Sequence, residues 1–331
     1  MAGFVVLDSR MTESIDEGMF LSIGGVEQWV TLRGRNIHNP VLFIVGGTGV
    51  ALSRMALFFA PWEQDFTVAQ WDQPGSGATA AKNPDDREIP MTLDRISRDG
   101  IEVVETITHR LRARKVILVA MSGGTIVGVT IAQRRPDLLW AYVGTGQIVN
   151  WSRQERLSYA MVLEQARQRN DESAAAELEA IGTPPYPDPA TDAVRSKYAV
   201  ALTDAERRVF ADLDPSVMAA ARTPPHQAHY VPEGLARVDQ RAQSMATYEK
   251  LRSEIAGWDA RSVGLVFRIP MFFFQGDQDA YTVTSEVQRY VAEIHAPKKM
   301  LVLMNGGGHS SMFMREEFLL LLNTHVRHLA E

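Results

Sequence analysis

The chain has 331 residues, 45% of them hydrophobic and 22% charged, with 24 glycines and 16 prolines. That balance is ordinary for a globular protein and excludes a disordered tail, a collagen-like chain and a coiled coil. A formal net charge of −6 gives no general attraction for phosphate backbones or anionic lipid, so neither nucleic acid nor membrane is an expected partner. Cysteine is absent, which removes disulfides, thiolate metal sites, iron–sulfur clusters and a cysteine nucleophile. Residues 1–10 lack the pattern of a secretory leader, and no apolar stretch approaches the ~18 residues that suggest a membrane span. A cytoplasmic protein is the expectation.

Taken in chain order, residues 20–23 and 28–33 flank Gly24-Gly25, the pattern of a hairpin. The apolar run at 41–45 reads as a buried strand that ends in Gly46-Gly47-Thr48-Gly49. A second strand at 66–71 is closed by Asp72-Gln73-Pro74-Gly75-Ser76-Gly77. Residues 92–114 read as a helix: Thr92 can cap it, and Leu93, Ile96, Val103, Ile107 and Leu111 recur on one buried face. The cations at its end (Arg110, Arg112, Arg114, Lys115) suit a helix C-terminus better than a nucleic-acid patch. A strand at 116–120 runs through Met121-Ser122-Gly123-Gly124 into a helix ending near Arg135, and 139–143 is the next strand. Strands alternating with helices imply a mostly parallel sheet covered on both faces.

From Trp151 the texture changes. Residues 151–261 favour helix, interrupted by Pro-rich loops at 183–189 and 223–232, and read as an inserted helical domain. Alternation then resumes, with strands expected at 263–267, 271–274 and 300–304, a helix near 285–294 and a final helix over 312–330.

The chemistry centres on Ser122. It lies between a strand and a helix, with small residues two before and two after (Ala120, Gly124). A serine on such a turn takes a strained backbone, and bulk at the flanking positions would strike the neighbouring strand and helix. The five-residue pattern has alanine where glycine is usual, and by itself it also fits a phosphate site at a helix N-terminus or a plain connection. The order of the later motifs favours nucleophilic catalysis. Gly276-Asp277-Gln278-Asp279 offers an acid after a late strand, and Gly306-Gly307-Gly308-His309 a histidine after the next. Ser, then Asp, then His is the chain order of an α/β-hydrolase triad, and 46–49 is placed to supply an oxyanion N–H. Residue alternation does not choose between Asp277 and Asp279, since both have the same parity.

These motifs together resemble the prolyl-aminopeptidase-like branch of the α/β-hydrolase superfamily over nearly the whole chain. Gly25-Val26-Glu27-Gln28-Trp29 resembles its opening hairpin, and Gly46-Gly47-Thr48-Gly49 sits where the branch has His-Gly-Gly-Pro-Gly. Trp71-Asp72-Gln73-Pro74-Gly75-Ser76-Gly77 is similar to its Trp-Asp-Gln-Arg-Gly-x-Gly loop, the most specific match. The resemblance implies an α/β-hydrolase core at 1–150 and 262–331 with a helical cap at 151–261. It implies Ser122 as nucleophile, Asp279 as acid by the Gly-x-x-Asp spacing, and His309 as base, with the backbone N–H groups of Gly47 and Gly123 as oxyanion donors. Three positions depart from the branch: Val45 replaces its His, Thr48 its Pro, and Gly123 a common Trp. The last is expected to leave an unfilled volume beside the serine. Aminopeptidases of this branch also need cap carboxylates for the substrate ammonium. Residues 151–261 offer Glu155, Glu164, Glu172, Glu177, Glu179, Glu206, Glu233, Glu249 and Glu254, and none stands out.

The expected function is a serine hydrolase that cleaves an ester or amide of a small molecule through an acyl-enzyme. The alternatives are an aminopeptidase acting on short peptides and a non-catalytic binding protein on the same scaffold. No cofactor or metal is expected. Nucleotide-binding glycine motifs are missing, and His226 and His229 lack a third ligand nearby. His325 and His328 fit a helix C-terminus.

Overall fold

The computed structural model describes residues 13–84, 90–222 and 239–330. Its strands are β1 (Ile15–Ile23), β2 (Val26–Gly34), β3 (Val41–Val45), β4 (Thr67–Trp71), β5 (Val116–Met121), β6 (Leu139–Thr145), β7 (Met271–Gly276) and β8 (Lys299–Met304). They form one eight-stranded sheet in the order β1-β2-β4-β3-β5-β6-β7-β8. β2 runs antiparallel to both neighbours, and every pairing from β4 to β8 is parallel. The helices are α1 (Ala56–Phe59), α2 (Gly77–Lys82), α3 (Leu93–Leu111), α4 (Gly124–Arg134), α5 (Trp151–Gln168), α6 (Glu172–Ile181), α7 (Pro189–Ala199), α8 (Asp204–Asp212), α9 (Pro215–Arg222), α10 (Gln240–Ala256), α11 (Thr284–Glu293) and α12 (Arg315–His325).

The central strands are apolar at every position because both faces of the sheet are covered. Along β3, Phe43 and Val45 enter one core with Val103 and Ile107 of α3 and Ile126 of α4. Leu42 and Ile44 enter the opposite core with Trp62 and with Phe318 and Leu322 of α12. Thr92 caps α3 by accepting the Arg95 N–H at 3.1 Å. The basic cluster at the end of α3 has structural partners: Arg110 pairs with Glu17 at 2.6 Å, and Lys115 sits 5.2 Å over the Trp140 ring.

Helices α5–α10 lie between β6 and β7. The two ends of this segment meet: Trp151 N donates to Trp258 O at 3.1 Å, Ala260 N to Val149 O at 2.7 Å, and Asn150 to Asp259 at 2.9 Å. Part of the segment forms a small core in which Tyr159, Val162, Leu178 and Ala199 pack together with Ala280 from the loop after β7. The loop at 223–232, with His226 and His229, lies outside the described residues.

Two expected elements differ. Residues 263–267 form no strand, because β6 pairs directly with β7 and leaves no place in the sheet. Gly264, at φ +128°, turns the chain, and Val266 makes only an isolated bridge to His295. The final helix is also broken. α12 is flanked by short 3-10 turns at Ser311–Phe313 and Arg327–Ala330, with a non-helical Met314 at ψ 63°. Met312, Met314, Phe318, Leu322 and Val326 nevertheless share one core, which explains the continuous apolar period in the sequence.

Asp72, just after β4, is buried, and its Oδ2 accepts the Ala78 N–H at 2.9 Å. Burial raises its carboxyl to about 6, and the hydrogen bond from Ala78 only partly offsets this. A folded value above the unfolded one gives a contribution that is complete below about pH 4 and lost as pH rises through about 6. Asp72→Asn keeps an acceptor for Ala78, so it should flatten the fall in stability between pH 4 and 7 by up to about 3 kcal/mol. Urea denaturation across that range measures this, and parallel curves for the two proteins would contradict it.

Candidate active site

The site is built where parallel strands end. β5 leads into Ser122, whose φ of +53° places it in the left-handed region that non-glycine residues seldom enter. The turn is fixed by Ser122 N donating to Thr145 O at 3.0 Å, and by the Thr125 N–H and hydroxyl donating to Ser122 O at 2.8 and 2.6 Å. Close packing explains the small flanks. A Cβ on Gly124 would lie 2.5 Å from the Val45 carbonyl oxygen, and one on Gly128 would lie 2.7 Å from the Ala120 methyl. Gly128 on α4 therefore makes the room that lets alanine stand where glycine is usual.

His309, on the loop after β8, reaches Ser122 Oγ with Nε2 at 2.9 Å and Asp279 Oδ2 with Nδ1 at 3.1 Å. Asp279 is the carboxylate brought to the imidazole. Its Oδ1 accepts the Tyr281 and Thr282 N–H groups at 2.8 and 2.9 Å, and its Oδ2 accepts Gln275 Nε2 at 2.8 Å and the Thr282 hydroxyl at 2.6 Å. Burial pushes this carboxyl up, but the His309 charge and the hydrogen bonds from His309 and Thr282 outweigh it and hold it below its usual range. In the neutral tautomer that places its proton on Nδ1 toward an anionic Asp279, Nε2 faces the Ser122 hydroxyl as an acceptor. Asp277 is used elsewhere: its Oδ1 accepts the Gly306 N–H at 2.8 Å. The Tyr281 ring packs on the imidazole with centroids 4.7 Å apart.

The loop after β3 lies against the serine turn. A Cβ on Gly47 would sit 3.7 Å from Ser122 Cβ and 3.9 Å from Gly123 N. Gln73, from the loop after β4, donates to Gly46 O at 2.8 Å, which links that distinctive sequence motif to the backbone beside the serine. Gly123 faces the cavity described below, but the direction a side chain would take from it is already filled. A Cβ there would strike the Thr48 hydroxyl and come within 2.8 Å of Thr48 N, so Thr48 already occupies the space. The departures at 48 and 123 are thus complementary, a relation between distant positions that neither residue reveals in the sequence. Val45, the third departure, is fully buried in the sheet core.

Ser122, Gly123, Gly47, Thr48 and His309 line a cavity of about 450 Å³. Its other walls include Ile148, Trp151, Tyr248 and Tyr281, with Asp192 and Ser196 supplied by α7. Arg195 is completely buried beside them, bonded to Asp192 Oδ1 at 2.7–2.9 Å and to Ser158 at 2.6 Å, with its guanidinium 5.0 Å from the Tyr281 ring. Glu155 is also buried here; burial first, and then the Asp192 charge, raise its carboxyl while Arg195 lowers it. Two further residues were silent in the sequence. Gly146, at φ +54°, lies under the imidazole, where a Cβ would be 2.9 Å from His309 Cε1. Asp192 sits in an ordinary surface-helix pattern, and only the packing of α7 brings it to the cavity. Among the described residues no group of three or more His, Asp or Glu is placed to hold a metal, and no helix is long and apolar enough to cross a membrane.

Comparison with known proteins agrees with this architecture. A family model described as serine aminopeptidase, S33, matches residues 36–316. A probable aminopeptidase of Bacillus subtilis (strain 168), YbaC, is 26% identical over 311 residues, covering 93% of this chain and 94% of that protein. Among solved structures, a proline iminopeptidase-related protein of Thermus thermophilus superposes with a TM-score of 0.57 at 18% identity, over 93% of this chain and 98% of that one. The 2-hydroxy-6-oxo-6-phenylhexa-2,4-dienoate hydrolase of a Rhodococcus species gives 0.58 at 15% identity, over 94% and 98%. At that identity the structures speak for the fold, while the family model spans most of the chain. The protein is an α/β-hydrolase-fold serine hydrolase that belongs to the S33 serine aminopeptidase family.

Proposed function

We propose that the protein cleaves an ester or amide of a small molecule by acyl transfer to Ser122, without a cofactor. The observation that carries this reading is the continuous Asp279–His309–Ser122 hydrogen-bonded line, with contacts of 3.1 and 2.9 Å, opening on a cavity. His309 Nε2 takes the hydroxyl proton as Ser122 Oγ attacks the carbonyl carbon, and Asp279 holds the imidazolium that forms. The negative oxygen of the tetrahedral intermediate is stabilised by the Gly47 and Gly123 N–H groups. Collapse expels the alcohol or amine, which receives the proton from His309. Water, deprotonated by the same imidazole, then attacks the acyl-enzyme and releases the acid. Residues 151–261 act as a cap over a core made of 1–150 and 262–331, a division supported by the bonds that join 149–151 to 258–260.

The largely apolar cavity walls suit a branched or aromatic acyl group. A specific observation also supports the aminopeptidase reading. Asp192 and Glu155 place two carboxyl groups beside one buried cation, Arg195, and among the described residues Asp192 Oδ2 has only a long 3.4 Å contact with Ser196. A substrate ammonium in the cavity would complete that charge balance. Asp192→Asn should then raise KM for substrates with a free amine and spare amine-blocked versions of the same compounds. Equal effects on both would leave the esterase reading.

Ser122→Ala should abolish fluorophosphonate labelling and lower turnover by several orders of magnitude, on the order of 10⁶ where a triad acts as a unit. Near-native turnover, or label on another serine, would refute the assignment. Asp279→Asn should lower turnover on the order of 10⁴ with little change in melting temperature, whereas Asp277→Asn should act mainly on stability. The reverse pattern would reassign the acid. Because Thr48 fills the space next to Gly123, Gly123→Trp should depress activity on small and large esters alike. Selective loss on large esters would mean that the space is open after all.

A further inference from the structure

The loop that carries His309 contains three successive glycines, Gly306–Gly308, and has little conformational preference of its own. Bonds from outside therefore set its shape, and two of them come from the helical segment rather than from the sheet. Thr203 and Glu206 form a capping box at the start of α8: Thr203 Oγ1 accepts the Glu206 N–H at 3.2 Å, and Glu206 Oε2 accepts the Thr203 N–H at 2.9 Å. That motif needs one carboxylate oxygen. The second, Oε1, accepts the N–H of Gly308 at 2.8 Å, one residue before the histidine. The Thr203 hydroxyl in turn donates to Gly306 O at 2.6 Å. Glu206 is 1% exposed, so these bonds do not compete with solvent. The approach is close enough to require glycine, since a Cβ on Gly308 would lie 2.9 Å from both Glu206 Oε2 and Thr203 Cγ2. On its other side the loop is tied to the sheet by Asp277, which accepts Gly306 N–H, and by Gln278 N, which donates to Gly307 O at 2.8 Å.

We propose that Glu206 is a positioning residue for His309, acting through the Gly308 N–H to set the angle at which the imidazole meets Ser122. The helical segment then contributes to turnover by holding the base as well as by enclosing the substrate. The proposal rests on the reading of His309 as the base. It also gives Glu206 a use other than recognition of a substrate ammonium, since both its oxygens accept backbone N–H groups.

The test compares the full-length protein with Glu206→Ala, Glu206→Gln and Thr203→Val, using a small acetyl ester whose binding makes little demand on the cavity. Steady-state kinetics, the rate of fluorophosphonate labelling and the melting temperature are measured for each. Misplacing a catalytic group by about an ångström costs on the order of 10–100-fold, so Glu206→Ala should lower kcat and the labelling rate by that much with KM nearly unchanged. Glu206→Gln, which keeps one acceptor, should recover part of the loss, and Thr203→Val should lower kcat in the same way. If Glu206→Ala does not fold, Glu206→Gln decides, because glutamine cannot accept both N–H groups. A folded Glu206 variant with wild-type kcat and labelling, or one altered in KM alone, overturns the proposal. Wild-type protein that takes no label at Ser122 overturns the triad reading instead, so the two failures are distinguishable.

Discussion

A single imidazole joins three parts of the chain that are distant in sequence. To remove a proton from a serine, a histidine must present an unprotonated nitrogen to the hydroxyl and be anchored through the other. His309 lies between two such partners, with Nε2 2.9 Å from Ser122 Oγ and Nδ1 3.1 Å from Asp279 Oδ2. The geometry exists because β5, β7 and β8 run parallel in one part of the sheet, so that Ser122, Asp279 and His309 emerge from the same edge. It also depends on charge. Asp279 is buried, yet its four protein donors besides the imidazole and the adjacent His309 keep it ionised. Without those donors burial would favour a neutral acid, which could not anchor a cationic imidazole.

Around this line, departures from the usual pattern are matched in pairs. Alanine at 120 is accommodated by glycine at 128, and the missing side chain at 123 by the threonine at 48. Close packing makes such pairing necessary, because interiors leave few voids and adding a methyl where atoms already touch forces a shift. A substitution in the motif therefore reports on its spatial partner as much as on itself. The same reasoning applies at Gly146 and Gly308, whose absent side chains make way for the imidazole ring and for the Glu206 carboxylate.

Much of this was legible in the sequence. Apolar runs ending in glycine-rich loops marked β3, β5 and β8, and the order Ser122, Asp279, His309 picked out three side chains that the fold brings together. Parity could not separate Asp277 from Asp279; the resemblance to the family chose Asp279, and the geometry brings that residue to the imidazole. What was not legible is non-local. The apolar run at 263–267 looks like a strand until the direct pairing of β6 with β7 removes its place. The volume expected beside Gly123 depends on Thr48, which belongs to a different loop after a different strand. Glu206 and Asp192 carry ordinary surface-helix signatures, and their burial follows only from how α8 and α7 dock. Local patterns fix elements; long-range contacts decide what each side chain does.

The central claim is covalent, and mass spectrometry tests it directly. The protein is mixed with a slowly deacylating ester, quenched in acid during turnover and digested. The account predicts that the peptide carrying Ser122 gains the mass of the acyl group, and that the adduct disappears as the ester is consumed. Turnover without any adduct under conditions where deacylation is limiting, or an adduct on a different residue, would contradict it.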